Sequence, residues 1–121
     1  MWSGRRSRLR DLLLYLKDIR GSCLKILRFT ESLSYEEFLA DEAIYDAALR
    51  NLTVIGEAVK AVPPEMRERY PDIEWRRIAG FRDIVVHAYF GIDNETVWDI
   101  VRTRVPELLA RIEIVLEHET M

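Results

Sequence analysis

Cysteine and histidine are both scarce in this chain. Its 121 residues include one cysteine, Cys23, and two histidines, His87 and His118. A single cysteine cannot form an internal disulfide, so nothing points to an oxidising compartment. Because Cys23 continues the apolar stripe of the first predicted helix, we interpret it as a core residue. Two distant histidines without a cysteine pair do not make a typical zinc site, and we expect no metal and no other cofactor.

Long apolar runs are absent as well. No segment approaches the roughly 20 apolar residues that a membrane span needs. The basic start of the chain, which includes Arg5 and Arg6, is followed by a segment with a charge every few residues, unlike the core of a signal peptide. We therefore expect a soluble, cytoplasmic protein that has no membrane partner.

The net charge of −3 argues against a general polyanion-binding protein. The charge is unevenly distributed, however, because residues 1–30 contain eight Lys or Arg and only two Asp. Arginine dominates the basic residues and suits bidentate contacts with phosphate, although codon usage is a simpler explanation for its abundance. Any contact with a nucleic acid must therefore be local, for example through Arg76, Arg77 and the basic first helix.

Four long segments have the apolar spacing of three and four residues that is typical of amphipathic helices. They cover residues 8–29, 42–61, 73–87 and the region from 93 or 94 onward, and two short helices are expected at 35–39 and 65–69. With 49% hydrophobic and 32% charged residues, we predict one all-α domain over residues 1–121. Short connections favour an antiparallel four-helix bundle with one or two additional short helices.

Residues with capping chemistry precede the predicted helices. Ser34 and Glu37 form a capping-box pattern, and Asp41, Asp72 and either Asp93 or Asn94 are candidate N-caps. Gly91 suits the C-terminal end of the third long helix. Pro106 lies within the pattern of the fourth helix and predicts a kink or local irregularity there. Gly56 could permit a close approach of the second helix to a neighbour.

The stretch from Arg82 to Phe90 departs from this pattern, because polar groups interrupt an otherwise apolar run. On an ideal helix, Ile78, Phe81, Val85 and Ala88 form the core stripe, whereas Arg82, Tyr89 and Trp75 share one flank. His87 follows Arg82 by five residues and therefore points about 140° away. A site that uses both side chains needs either a helix that ends near Val86 or the same stretch of a second chain across a two-fold axis.

Arginine and histidine together suffice for cutting RNA without a metal. A histidine can remove the proton of a 2′-hydroxyl, and an arginine can hold the phosphate and stabilise the charge that develops on it. The simpler alternative is structural: Arg82 pairs with a nearby acid such as Glu57, and His87 and Tyr89 merely end a helix. The spacing alone does not decide between these two interpretations.

The Arg-x-x-x-x-His-x-Tyr string formed by Arg82, His87 and Tyr89 resembles the signature of HEPN-domain proteins of the HepT type. The resemblance covers nearly the whole chain in order. It includes the 51–58 stretch on the second helix, the approach to the motif over 70–75 and 78–83, and the exit over 89–93 with Trp98.

This resemblance implies an all-α bundle that dimerises, with Arg82 and His87 meeting as catalytic residues of a ribonuclease at the dimer interface. Asp83 would support catalysis, and Asn51 and Glu57 could lie behind the catalytic residues. It also implies a toxin of a type VII-like toxin–antitoxin pair that acts on RNA, with tRNA and mRNA as the candidate substrates. The antitoxin would be a minimal nucleotidyltransferase like MntA, which transfers AMP to Tyr89.

A non-catalytic protein is the alternative. In that case the bundle would bind a nucleotide, or serve as the regulatory subunit of a nucleotidyltransferase complex. A plain helical dimer, whose motif only holds the interface, is a third interpretation.

Overall fold

The computed structural model describes the backbone of residues 2–120 and the side chains of residues 8–120, so the side chains of Arg5 and Arg6 lie outside the described residues. Eight α-helices and one π-helical turn make up this part of the chain, and it contains no strand. The helices are α1 (Trp2–Thr30), α2 (Tyr35–Ala40), α3 (Glu42–Ala61), α4 (Pro64–Arg69), α5 (Trp75–Ala79), α6 (Phe81–Tyr89), α7 (Asn94–Asp99) and α8 (Val105–Thr120), with the π-helical turn Ile100–Arg104 between α7 and α8.

A four-helix bundle results, as the apolar spacing predicts. Its four elements are α1, α3, the α5–α6 pair and the continuous stack of α7, the π-helical turn and α8. Helix α1 packs against α3 and α8, and α3 packs in turn against α5 and α6. The short helices α2 and α4 are the two additional elements. The core consists of the predicted stripes, and its fully buried members include Leu16, Ile19, Ile26, Leu52, Ile55, Val101 and Ile112.

Most of the predicted helix ends are confirmed. The Ser34 hydroxyl accepts a hydrogen bond from the Glu37 amide, and the Glu37 carboxylate accepts one from the Ser34 amide, which is a complete capping box. Asp41 caps α3 through the amide of Ile44. Gly91 has a φ of +75° and follows the end of α6, where glycine is favoured because it has no Cβ.

Asp72 is not an N-cap, and this prediction is wrong. Helix α5 begins later, at Trp75, and Asp72 lies in the preceding turn near Arg111. The predicted third helix is also divided in two, because α5 ends at Ala79 and α6 begins at Phe81. Gly80 joins them with a ψ of −7°. The prediction that Trp75 shares a flank with Arg82 and Tyr89 is therefore wrong, because Trp75 is buried whereas the other two side chains are exposed.

Pro106 explains the irregularity in the last long helix. Proline lacks an N–H, and its ring clashes with the carbonyl four residues earlier, here that of Arg102. Directly before it the chain adopts a π-helical turn, in which the Val105 amide donates to the Ile100 carbonyl, five residues back. Arg102 leaves this turn toward the end of α1, where its guanidinium donates to the carbonyls of Thr30, Glu31 and Leu33.

Candidate active site

Helix α6 presents the motif on its solvent side. Phe81, Val85 and Ala88 face the core and anchor the helix, as their spacing predicts. The four polar motif residues all lie on exposed positions, and they are Arg82, Asp83, His87 and Tyr89. A helix held by one apolar face thus displays its chemistry to solvent.

A close approach between helices sets the position of Arg82. A Cβ placed on Gly56 of α3 would lie 3.4 Å from the Ala79 carbonyl oxygen and 3.5 Å from the Arg82 amide nitrogen. The α3 backbone therefore runs directly against the junction of α5 and α6. The predicted role of Gly56 in close packing is confirmed, and the contact brings Arg82 beside the next residue of α3, Glu57.

Arg82 and Glu57 form an ion pair in which the guanidinium Nη1 lies 2.9 Å from the carboxylate Oε1. The ion pair between Arg82 and Glu57, which the sequence suggested as a structural alternative, is therefore present. Both side chains remain about half exposed, at 54% and 49%. An ion pair in that environment contributes roughly 0–1 kcal/mol to stability. The guanidinium is thus oriented by Glu57 but still accessible to an anion from solvent.

His87 also has a carboxylate neighbour, and it comes from the turn after α6. The turn is a Schellman motif, because the Gly91 amide donates to the Ala88 carbonyl and the Ile92 amide donates to the His87 carbonyl. Two residues beyond Gly91, Asp93 has a φ of +66°, which is uncommon for a residue other than glycine. This reversal brings the Asp93 Oδ2 to 3.5 Å from the His87 Nδ1.

The contact with Asp93 has a chemical consequence for His87. A carboxylate beside Nδ1 favours the ring form that carries its proton on that nitrogen. The other nitrogen, Nε2, then has a free lone pair directed away from Asp93, as a general base requires. Sequence reasoning missed this contact and expected either Asp93 or Asn94 to cap the following helix. Asp93 does occupy the N-cap position of α7, but its side chain makes no capping hydrogen bond there.

Arg82 and His87 do not converge within one chain. Helix α6 continues through His87 to Tyr89, so the option of a helix that ends near Val86 does not apply. The five-residue spacing keeps the two side chains about 140° apart on this helix. Each one lies beside a different carboxylate, that of Glu57 on α3 for Arg82 and that of Asp93 on the turn for His87.

Exposed apolar side chains surround the motif. Phe90 is 78% exposed and Tyr89 is 63% exposed, and Val86 and Ile92 are about half exposed. Single exposed apolar residues are common, but these four lie within seven residues of the sequence, and we refer to them as the apolar rim. The phenol of Tyr89 lies within this rim and is accessible to another macromolecule.

The remaining candidate residues lie apart from this cluster. Asp83 is exposed on the first turn of α6. Arg77 lies 3.5 Å from Glu74 and lines a small pocket between α5 and α8, and Arg76 is exposed beside it. Asn51 is not brought to Arg82. It is buried, donates to the Ala47 carbonyl one turn earlier, and lines a groove between α1 and α3.

Two further groups bear on the chemistry of the chain. Cys23 is fully buried, and burial raises the pKa of its thiol to about 12, which agrees with the predicted core role. Within residues 2–120, no cluster of three or more His, Cys, Asp or Glu side chains is arranged to hold a metal ion. No helix in the same range is long and apolar enough to cross a membrane.

The chain is similar to the proteins of one known family. The model of the family described as "Ribonuclease HepT-like" matches residues 19–115, which include α3, α6 and the Asp93 turn. The chain belongs to the HepT-like ribonuclease family. The resemblance seen in the motif is thereby confirmed, and the enzyme class expected from it, an endoribonuclease, is the class of this family.

Individual relatives agree with the family match. The chain is 42% identical over 108 residues to a Methanocaldococcus jannaschii protein named "Putative RNase MJ0125", covering 89% of this chain and 93% of that protein. It is 38% identical over 99 residues to a Thermococcus cleftensis protein named "Probable ribonuclease HepT", covering 82% and 90% respectively. No solved structure matches the chain significantly.

Proposed function

We propose that this protein is a metal-independent endoribonuclease toxin whose cleft forms between the α6 helices of two copies. The observation that carries the proposal is the arrangement of the motif. Arg82 and His87 are exposed beside separate carboxylates, they point apart on one helix, and the exposed side chains of the apolar rim lie next to them in the sequence. A second copy that covers the rim would bury apolar surface and could bring the Arg82 of one chain to the His87 of the other.

The chemistry follows from the accessible atoms. His87 Nε2 removes the proton from a ribose 2′-hydroxyl, and the 2′-oxygen forms a bond to the adjacent phosphorus. The bond from phosphorus to the 5′-oxygen breaks, and the protonated histidine of the second copy gives its proton to that leaving oxygen. The products are a 2′,3′-cyclic phosphate and a 5′-hydroxyl. Arg82 exchanges the Glu57 carboxylate for the phosphate and stabilises the charge that builds on it.

Tyr89 is the proposed control point. It ends α6 on the same flank as Arg82, and its phenol is exposed within the rim. A nucleotidyltransferase antitoxin could therefore reach the oxygen and attach AMP. The added phosphate would bring negative charge and bulk to the place where substrate phosphate and the second copy must approach.

Cleavage of RNA by the purified dimer in the presence of a chelator tests the enzymatic part. Wild type should release fragments with cyclic phosphate ends, and His87→Ala should remain dimeric and folded but inactive. His118→Ala is the matched control, because it removes the other histidine, far from the motif, and should keep full activity. Equal RNA decay with wild type and His87→Ala would contradict the proposal.

Intact-mass measurement after coexpression with a cognate nucleotidyltransferase tests the regulatory part. Addition of AMP should appear on wild type and be absent from Tyr89→Phe. A tight complex without any mass shift would instead support the alternative of a regulatory subunit. Inhibition would then depend on complex formation rather than on covalent modification.

A further inference from the structure

A second polar surface lies outside the motif, in the groove between α1 and α3. The groove has a volume of about 430 Å³. One wall follows a stripe of α1 at intervals of four residues, and the other follows α3. The residues that line it are Lys17, Asp18, Gly21, Ser22, Lys25, Phe29, Ala47, Arg50, Asn51 and Val54.

Positive charge predominates in this groove although the chain as a whole is acidic. Lys17, Lys25 and Arg50 are exposed along its walls, against one acid, Asp18. None of these three cations forms an ion pair with any side chain of residues 8–120. Their charges therefore remain available to a ligand that carries several negative charges.

The floor of the groove is polar and open. Asn51 and Ser22 are buried at 8% and 5% exposure, and both line the groove. Asn51 uses its amide nitrogen to donate to the Ala47 carbonyl. Gly21 leaves space between the two lysines of α1, because a Cβ built on it would meet nothing within 4 Å. Phe29 is half-buried at one end of the groove, and the Arg28 guanidinium lies over its ring, 5.2 Å from the ring centroid.

The groove leads toward the motif along α3. Arg50 and Val54 line it, and Glu57, the partner of Arg82, follows Val54 by one turn of the same helix. Seven residues separate Arg50 from Glu57, which corresponds to about 10 Å along the helix axis. A single strand of RNA with its reacting phosphate at Arg82 could therefore continue along α3 into the groove.

We propose that the α1–α3 groove is an RNA-binding site that holds the backbone of the substrate strand beside the cleavage site. Lys17, Lys25 and Arg50 neutralise successive phosphates, and the Gly21 gap admits the strand between them. This inference rests on the proposed ribonuclease function, and it supplies a local basic contact for RNA on a protein whose net charge is −3. It also gives a reason for the buried polar side chain of Asn51, which does not reach Arg82.

The test measures how the binding of a single-stranded 12-nucleotide RNA depends on salt concentration. The His87→Ala protein is used so that the RNA stays intact. Replacement of Lys17, Lys25 and Arg50 by alanine should weaken binding by about tenfold or more at moderate salt. It should also reduce the slope of log K against log salt by about 2, since each phosphate contact to a single strand contributes roughly 0.7. The matched control replaces Arg69, Arg104 and Arg111, which lie outside the groove and on neither of its two helices, and should leave the slope unchanged.

Gly21 gives an independent and more selective variant. Gly21→Glu places a carboxylate in the open space and should weaken RNA binding, whereas Gly21→Ala should bind as the parent protein does. Both replacements favour helix formation relative to glycine, so neither is expected to destabilise α1. Equal RNA affinity of Gly21→Glu and Gly21→Ala would overturn the inference.

Cleavage assays separate this inference from the proposed function. In an otherwise wild-type chain, the groove variants should cut a dinucleotide at the parental rate but cut the 12-nucleotide RNA more slowly. If the wild-type protein cuts no RNA at all, the proposed function fails. If it cuts RNA and the groove variants match it on both substrates, only the groove assignment fails. Loss of RNA binding together with dissociation of the dimer would identify the groove as a subunit contact and would also overturn the assignment.

Discussion

Asp93 lies four residues beyond the end of the helix that carries His87, yet its carboxylate lies beside the His87 ring. The distance from Asp93 Oδ2 to His87 Nδ1 is 3.5 Å. The chain reverses its direction between them through the left-handed backbone of Gly91 and of Asp93 itself. A non-glycine residue in this conformation is mildly strained, and asparagine and aspartate tolerate it best. The turn therefore positions a carboxylate behind the proposed catalytic base.

Replacement of Asp93 should reduce turnover without unfolding the protein. Asp93→Asn can keep the left-handed turn but loses the charge beside Nδ1, so kcat for RNA cleavage should fall by about tenfold while KM changes little. Nitrogen NMR of the His87 ring should show less of the form protonated on Nδ1. Glu95→Gln is the matched control, because Glu95 is exposed on the same short helix. An unchanged tautomer and an unchanged kcat in Asp93→Asn would exclude a positioning role.

Neutralisation of Glu57 should release Arg82 at almost no cost in stability. Because both side chains are about half exposed, Glu57→Gln should change the free energy of unfolding by less than about 1 kcal/mol. RNA should bind more tightly at low salt, since Arg82 no longer has to leave a carboxylate. Titration of RNA into the His87→Ala protein with and without Glu57→Gln measures this gain, and Asp46→Asn on the same helix serves as the control. A large loss of stability would show that the ion pair is structural.

The size of residue 56 should decide the position of α6. Gly56→Ala places its Cβ at 3.4 Å or more from the neighbouring backbone, an ordinary contact, so the protein should stay folded and active. Gly56→Val has no room for its additional methyl groups and should cost about 1–3 kcal/mol through displacement of the α5–α6 junction. Denaturant unfolding and RNA cleavage of the two variants check this difference. If both variants behave alike, the close helix approach does not position the motif.

Cys23 should resist alkylation in the folded protein. Since burial raises its pKa to about 12, the thiol stays protonated at pH 8 and is also shielded from reagent. Iodoacetamide should label it only when urea unfolds the chain, as mass spectrometry would record. Above about pH 9 the unfolded chain loses the thiol proton before the folded one does, so this group lowers stability as pH rises further. Rapid labelling at pH 8 without urea would contradict the core assignment.

Local patterns in the sequence determined the bundle and the location of the motif. Apolar spacing placed the long helices, and Ser34, Asp41 and Gly91 marked helix ends correctly because capping depends on neighbouring residues alone. The motif stood out because Arg82, His87 and Tyr89 interrupt an apolar face. The same periodicity also indicated that Arg82 and His87 point apart.

Tertiary structure decided the partners of these residues. Packing of α3 at Gly56 accompanies the break at Gly80 that the helical pattern did not predict, and the left-handed turn brings Asp93 to His87 instead of leaving it to cap a helix. Packing of α1 on α3 places Asn51 in a basic groove, away from Arg82. Periodicity reports which face of a helix is buried, but not which neighbour covers it or how a turn redirects a side chain. Those relationships depend on contacts between residues distant in sequence and on single backbone angles.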